Sequence, residues 1–491
     1  MPDIRYVCLS DLHLGAATSV LTHLDAEGNH SPRDPAPLLT AVLAGLRKLI
    51  RDSGTTTPPT LVLHGDLFEL ALTTMEVAAD TFGHLVTEAW GDPDDPLFAY
   101  EVLFVPGNHD HHLWEITREQ QYEDYLHQSP NWNRPMVHVT AMRPDRLADT
   151  DREPIVGEFA RRALGVDSSI ASPIFRVLYP NLGLVDESGE RGVVITHGHY
   201  LEPMYRAMTY LHNAISPKRP PRLTIAQLEA DNWAWIDFFW STMGRSGEGD
   251  ADEVIPVLYE LLQDQPAMQA IVNRVIDEFL PRNRSLLRRA QRWTLRRAGR
   301  HASAEIASRE RHHAELLSPA ATTGLTHYVE GPVLGQLLDE FDEVPKRLDF
   351  VFGHTHKPFA ARRQPGEYPG VVVAHNSGGW VVDAVHPEPN KGASVVLISS
   401  ELEVVDLSIY HQEVDPDDFR VAVTAVIDPR DEPTPLRAWL LDTIDADATP
   451  WAEIADLAAL TVRERRQQLE RRIQRGTAAV RSEPPVGPRG W

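Results

Sequence analysis

Residues 4–15 read Ile-Arg-Tyr-Val-Cys-Leu-Ser-Asp-Leu-His-Leu-Gly, an apolar run that breaks off into Asp11-Leu12-His13. Four more short apolar runs end in the same way. Leu61 to Leu63 leads into Gly65-Asp66, and Val102 to Val105 into Gly107-Asn108-His109-Asp110. Val193 to Ile195 leads into His197-Gly198-His199, and Phe350 to Phe352 into Gly353-His354-Thr355-His356. β-Branched and aromatic runs bounded by Gly or Pro read as buried strands. In open α/β sheets, ligands gather at the loops that leave strand ends. Five strand ends carrying Asp, Asn and His are therefore expected to converge on one site, with enough ligands for two metal ions.

Spacing and residue type narrow the chemistry. Asp11 and His13 are two apart, as are His354 and His356, and alternation along an extended chain turns each pair to one side. Carboxylate oxygens mixed with imidazoles suit Mn, Fe or Zn better than Ca or a thiol-loving metal. Gly65 and Gly107 stand before ligands at tight turns, where a missing Cβ lets the backbone approach the ions. The chemistry implied is hydrolysis at phosphorus.

At 491 residues the chain exceeds the usual single domain, so a catalytic core with an insertion or appended domain is expected. Its 47 basic and 71 acidic residues give a formal charge of −24, which opposes binding to a phosphate backbone. Nucleic acid is not an expected partner. The lone Cys8 excludes an internal disulfide and any multi-cysteine metal site, and fits a reducing compartment. The N-terminus lacks the basic, apolar and small-residue segments of a secretory signal. No apolar run approaches the roughly 18 residues of a membrane span. A cytoplasmic enzyme is the expectation.

Up to about residue 200, strands alternate with helices near Pro37 to Arg51, Thr73 to Trp90 and Trp114 to His127, the pattern of an α/β core. Strands follow at Met136 to Thr140, Phe175 to Tyr179 and Val193 to Thr196. The division expected is a core over 1–200, a helical, lid-like insertion over 201–345, the rest of the core over 346–410, and an extension over 411–491. That extension carries a helix near Trp451 to Arg475 and a disordered end.

Taken in order, Asp11-x-His13, Gly65-Asp66-x-x-Glu69, Gly107-Asn108-His109-Asp110, His197 and Gly353-His354-x-His356 resemble the five blocks of the calcineurin-like metallophosphoesterases. The resemblance spans roughly residues 4–200 and 345–400. It implies a four-layer α-β-β-α sandwich carrying the large helical insertion. Asp11, His13, Asp66 and His356 would hold one metal, and Asp66, Asn108, His197 and His354 the other, with Asp66 bridging. Manganese is the expected metal, with iron or zinc as alternatives. Two such ions would hold a hydroxide and clamp the phosphate oxygens. His109 would be the general acid toward the leaving group, with Asp110 orienting its ring. Glu69 stands where many members have Asp. That wording looks like the branch of the UDP-2,3-diacylglucosamine pyrophosphatases, whose type enzymes carry Arg where this chain has His109. The resemblance implies hydrolysis of a phosphodiester or phosphoanhydride in a nucleotide conjugate or lipid-like substrate. A cyclic nucleotide or other small diester is the alternative substrate, and a degraded scaffold that only binds is the alternative of another class.

His111, His112, His138 and His375 belong to no block and read as structural, while His199, beside His197, could reach a substrate phosphate. Asn376 reads as a turn residue. Within the insertion, Asn232 to Met243 is dense in aromatic rings, the pattern of a packed helix or of an apolar groove. Arg282 to Arg311 carries ten Arg against Glu305 and Glu310. It reads as a solvated face, with peripheral contact to an anionic membrane or to substrate phosphates as the alternatives.

Overall fold

The computed structural model describes residues 1–25, 27–31, 33–71, 73–129, 139–148, 151–166, 170–215, 223–242, 315–341, 344–364, 366–427 and 434–482. Two mixed sheets form the centre. In the first, β1 (Tyr6–Leu9), β2 (Thr60–Leu63), β3 (Glu101–Phe104) and β4 (Ile174–Val177) are parallel. On the other side of β1, the strands β10 (Gly392–Ile398), β11 (Val404–His411) and β12 (Ala422–Val423) add antiparallel, completing seven strands. The second sheet has six strands: β5 (Asn181–Val185), β6 (Arg191–Thr196), β7 (Arg347–Phe352), β8 (Phe359–Arg363), β9 (Val371–Asn376) and β13 (Val426–Ile427). Here β6, β7 and β9 are parallel, and β5 forms a hairpin with β6 that the sequence reading did not anticipate.

The helices are α1 (Pro37–Asp52), α2 (Met75–Trp90), α3 (His111–Gln128), α4 (Pro154–Ala163), α5 (Ala207–Ile215), α6 (Ile225–Ile236), α7 (Pro319–Tyr328), α8 (Leu334–Phe341), α9 (Pro435–Thr443) and α10 (Trp451–Ser482). None of the described helices is long and apolar enough to cross a membrane.

Side-chain parity explains why the strands read as continuous apolar runs. Val7 and Leu9 of β1, Leu61 and Leu63 of β2, and Val102 and Phe104 of β3 join the core shared with α1 and α2. Their neighbours Cys8, Val62 and Leu103 face the other sheet, meeting Leu182, Val193, Ile195 and Val351 in a separate apolar layer. Both faces are buried, so no polar alternation is needed. Cys8 is a buried, free thiol in that layer.

The parallel strands β1, β2 and β3 end on one edge of the first sheet, and β6 and β7 end together in the second. All five ligand-bearing loops leave from these ends. The residues after about 411 are not a detached tail, because β12 and β13 add one strand to each sheet and α10 packs on α1. Arg465 of α10 donates from Nε to the Ser19 carbonyl at 3.0 Å, fastening the loop that follows His13. The Arg-rich run 282–311, His138 and residues 483–491 lie outside the described residues, as does most of the expected strand at 136–140.

The sheets are also joined by charge. His375 of β9 is fully enclosed, with Nδ1 2.6 Å from Asp406 of β11 and Nε2 3.0 Å from Asp349 of β7, so it ties one sheet to the other. Burial by itself would lower the imidazole pKa, but Asp406 and Asp349 outweigh it and raise it to about 9. A pKa raised on folding adds stability that is complete below the unfolded value of about 6.5 and disappears as pH climbs through the folded one. We predict that wild-type stability, followed by urea midpoint, falls between about pH 6.5 and 9 by up to about 3 kcal/mol more than that of His375→Gln. Parallel pH profiles for the two proteins would remove this ion pair from the account.

Candidate metal centre

Backbone geometry marks the ligand positions before any side chain is considered. Six non-glycine residues among those described have positive φ, and five of them are Asp11, His13, Asp66, His354 and His356, at 51°, 44°, 50°, 68° and 59°. Each costs of order 1–3 kcal/mol and persists only where surrounding bonds impose it. Those bonds are present. Asp11 N donates to Gly65 O at 2.9 Å, His13 N to Asp66 O at 2.9 Å, and His354 N to both oxygens of Asp11 at 3.0 Å. The loops thus hold one another in conformations that none would adopt alone.

The glycines serve the same crowding. A Cβ on Gly65 would overlap the His197 ring, and one on Gly107 would overlap the Asp66 carboxylate. The clearance expected at these positions is real, but it is clearance for ligand side chains.

Among the described residues four buried groups of side chains could hold a metal ion: Asp11 with His13 and His356, Asp66 with His197 and His354, His13 with Glu69 and His109, and His111 with Glu115 and Glu229; the first two contain the residues expected from the sequence. Asp66 Oδ2 faces both, 3.6 Å from His13 Nε2 and 3.3 Å from His197 Nε2. His356 Nε2 lies 3.4 Å from Asp11 Oδ1. Around His197 Nε2 stand Asn108 Oδ1 at 3.0 Å, His354 Nδ1 at 3.1 Å and Asp66 Oδ2 at 3.3 Å. A single imidazole N–H can serve only one of these three acceptors. Donor atoms about 2.1 Å from a common cation are separated by about 3.0–3.4 Å, so the spacing suits coordination. The charge suits it too. Burial would lower the His197 pKa, yet Asp66 and Asp11 raise it to about 9, so this pocket draws in positive charge. All seven ligands expected from the sequence are brought together here.

A further ring of carboxylates orients the imidazoles. His13 Nδ1 meets Glu69 Oε2 at 2.9 Å, His354 Nε2 meets Glu202 Oε1 at 2.9 Å, and His356 Nδ1 lies 3.5 Å from Asp383 Oδ2. In each case the opposite ring nitrogen is the one turned to the ligand cluster, as in carboxylate–histidine–metal arrangements. Asn376 donates to Gly353 O at 2.9 Å and Thr355 Oγ1 at 3.0 Å, bracing the last loop.

His109 lies beside the cluster with its N–H on Asp66 Oδ1 at 2.8 Å. The expectation that Asp110 orients its ring is corrected. His109 Nδ1 is bound by Glu69 Oε1 at 2.7 Å, whereas Asp110 accepts from Gly107 N at 2.6 Å and from Leu67 N at 2.7 Å. Asp110 is fully enclosed and tied to backbone, fastening the second loop to the third. Burial and then the charge of Asp66 raise its pKa to about 6. Glu69 takes the role instead, and one carboxylate serves both His13 and His109. Burial would raise its pKa, but those two imidazoles bring it down to about 2.

His199 does not reach outward. Its Nε2 is 3.1 Å from Tyr179 Oη and it is 1% exposed, enclosed behind His197. Burial pushes its pKa well down. The aromatic run of the insertion grades outward: Trp240 is buried against Tyr205, whose ring lies 5.0 Å from that of His354, while Phe238 is exposed. Glu69 was visible in the second block as a residue type. Glu202 and Asp383 had no signal in the sequence, because each meets its histidine only through the fold.

No family model matches this chain, and no curated protein matches it either.

Glu69→Gln tests the shared carboxylate. An amide offers one acceptor and one donor, so it can hold only one of the two rings in the tautomer that a carboxylate holds both. Metal affinity is expected to fall about 10–100-fold, read by equilibrium dialysis with Mn. Unchanged affinity would show that Glu69 orients neither ring.

Proposed function

We propose that the protein is a dinuclear metallophosphoesterase, with the four-layer α-β-β-α fold of that class, that hydrolyses a phosphodiester or phosphoanhydride. The observation that carries this reading is Asp66, whose one oxygen faces both ligand groups while the other accepts the His109 amide. Asp11, His13, Asp66 and His356 would hold one ion, and Asp66, Asn108, His197 and His354 the second. Carboxylate and amide oxygens among imidazoles favour manganese, with iron or zinc as alternatives. When bound, such ions supply Lewis acidity toward phosphoryl oxygens and a nucleophile at neutral pH.

The chain's own residues do the rest. With Nδ1 committed to Glu69, Nε2 of His109 is the ring atom that can pass a proton to a departing oxygen. Glu69 stabilises the imidazolium that does so, and the buried surroundings strengthen that pairing. A proton donor matters most for an alkoxide leaving group, as in a lipid-like or other alkyl diester, and less for a phosphate released from an anhydride. The resemblance in sequence puts a nucleotide conjugate or lipid-like substrate first, and a cyclic nucleotide or other small diester second.

Asp66→Asn is expected to abolish turnover and lower bound metal below two ions per chain, measured by elemental analysis after loading with Mn. His109→Ala should keep its metal but lose a factor of about 10² to 10⁴ on an alkyl diester and much less on a nitrophenyl diester. A wild-type protein that binds two ions and hydrolyses none of a monoester, a diester and a sugar-nucleotide anhydride would instead be a metal-binding scaffold.

A further inference from the structure

The helix that follows the His109 loop lacks a cap of its own. Asp110 is the N-cap residue of α3, yet its side chain bonds none of that helix's amides, because its oxygens are taken by Gly107, Leu67 and Phe68. First-turn amides left without a partner in a buried setting are costly. The partner comes from far along the chain. Ser241 Oγ accepts the His112 amide at 2.9 Å and donates to the His109 carbonyl at 3.3 Å. Ser241 is fully enclosed, 129 and 132 residues away in sequence from the two groups it joins.

The local geometry that delivers this hydroxyl is unusual. Buried positions Ile225, Leu228, Glu229, Asn232 and Ile236 define one face of α6, and the helix then opens into a π turn over Asp237–Thr242. An i→i+5 step carries the buried face from Ile236 to Ser241, which a regular α-helix would rotate away. Other contacts from the same segment run to the same helix. Glu229 Oε1 lies 3.3 Å from His111 Nε2, Asp237 Oδ1 lies 3.2 Å from His112 Nδ1, and Arg118 sits over the Trp233 ring at 5.1 Å. His111 is in turn flanked by Glu115 of α3. Its two ring nitrogens address different carboxylates, so this buried cluster joins the two helices by charge.

We propose that the α6 segment positions the reacting face of the site: Ser241 caps α3 from outside and, with Glu229, fixes the His109 peptide at the distance its proton transfer requires. This rests on the reading of His109 as general acid. Each part of His109 is then held by a different group, the amide by Asp66, the ring by Glu69 and the carbonyl by Ser241. Ser241 and Glu229 touch no substrate in this scheme, so they are positioning residues. They make the described segment 225–242 a brace for the His109 loop.

The test uses the full-length protein loaded with Mn and the variants Ser241→Ala, Ser241→Thr and Glu229→Gln. Turnover is compared on the 4-nitrophenyl and phenyl diesters of one alkyl phosphate, together with bound metal and amide hydrogen exchange over residues 107–117. For Ser241→Ala we expect metal content unchanged, exchange in that segment about 5-fold faster, and about 10-fold loss on the phenyl ester against about 2-fold or less on the nitrophenyl ester. Ser241→Thr keeps the hydroxyl and should restore both. Glu229→Gln should repeat the leaving-group split, which a purely structural role would not produce. Equal losses on the two esters, or exchange unaltered in Ser241→Ala, overturn the proposal. If wild-type protein hydrolyses neither ester, the phosphoesterase reading has failed, and the exchange measurement then decides the capping claim alone.

Discussion

The enclosed carboxylate of Asp66 is the constraint on which the site depends. It sits in a left-handed backbone conformation, with no solvent contact, between imidazoles of two separate loops. A lone buried charge of this kind would be expensive to keep, so it persists only because cationic or hydrogen-bonding partners face it. Burial by itself would raise its pKa, yet His197, His109 and His13 hold it well below the ordinary range. The second loop is therefore fixed by electrostatics, and the first, third and fourth loops are fixed against it.

Strain and support are distributed in the same way. Positive φ at five ligand positions is unfavourable locally, and it is maintained by hydrogen bonds between loops that leave different strands. Those bonds exist because the parallel strands of each sheet stop together, and because the two sheets are held face to face. An apolar layer around Cys8, Val62 and Val351 supplies the contact area, and the Asp349–His375–Asp406 group fixes one sheet against the other. A rigid layered core can thus present loops whose own preferences lie elsewhere.

Segments outside the strand–helix core are built into this frame. Glu202 and Tyr205 meet His354, Ser241 meets the His109 loop, and Arg465 near the end of the chain holds the loop after His13. Each contact joins residues more than a hundred positions apart. The ligands come from the sheets, whereas much of what orients them comes from helices added around the sheets.

The strands that carry the candidate ligand residues, and the convergence of those residues, were legible in the sequence, since an apolar run ending in Asp or His is a local pattern that burial on both faces of a sheet produces. The helices observed over 37–52 and 75–90 were legible as well, in the alternation of strands with helices, and each opens at a Pro or a Thr cap. The partners of the ligands were not. That Glu69, and not Asp110, holds His109 depends on which carboxylate a folded loop turns inward, and adjacency in the sequence misled on that point. The hairpin strand β5, the two short strands after residue 411, and the cap that Ser241 supplies are likewise pairings between distant segments. Residue type and spacing are properties of a few neighbouring positions, and they determined what chemistry the chain offers. Distance and orientation across the sheets exist only after packing, and they decided which groups serve that chemistry together.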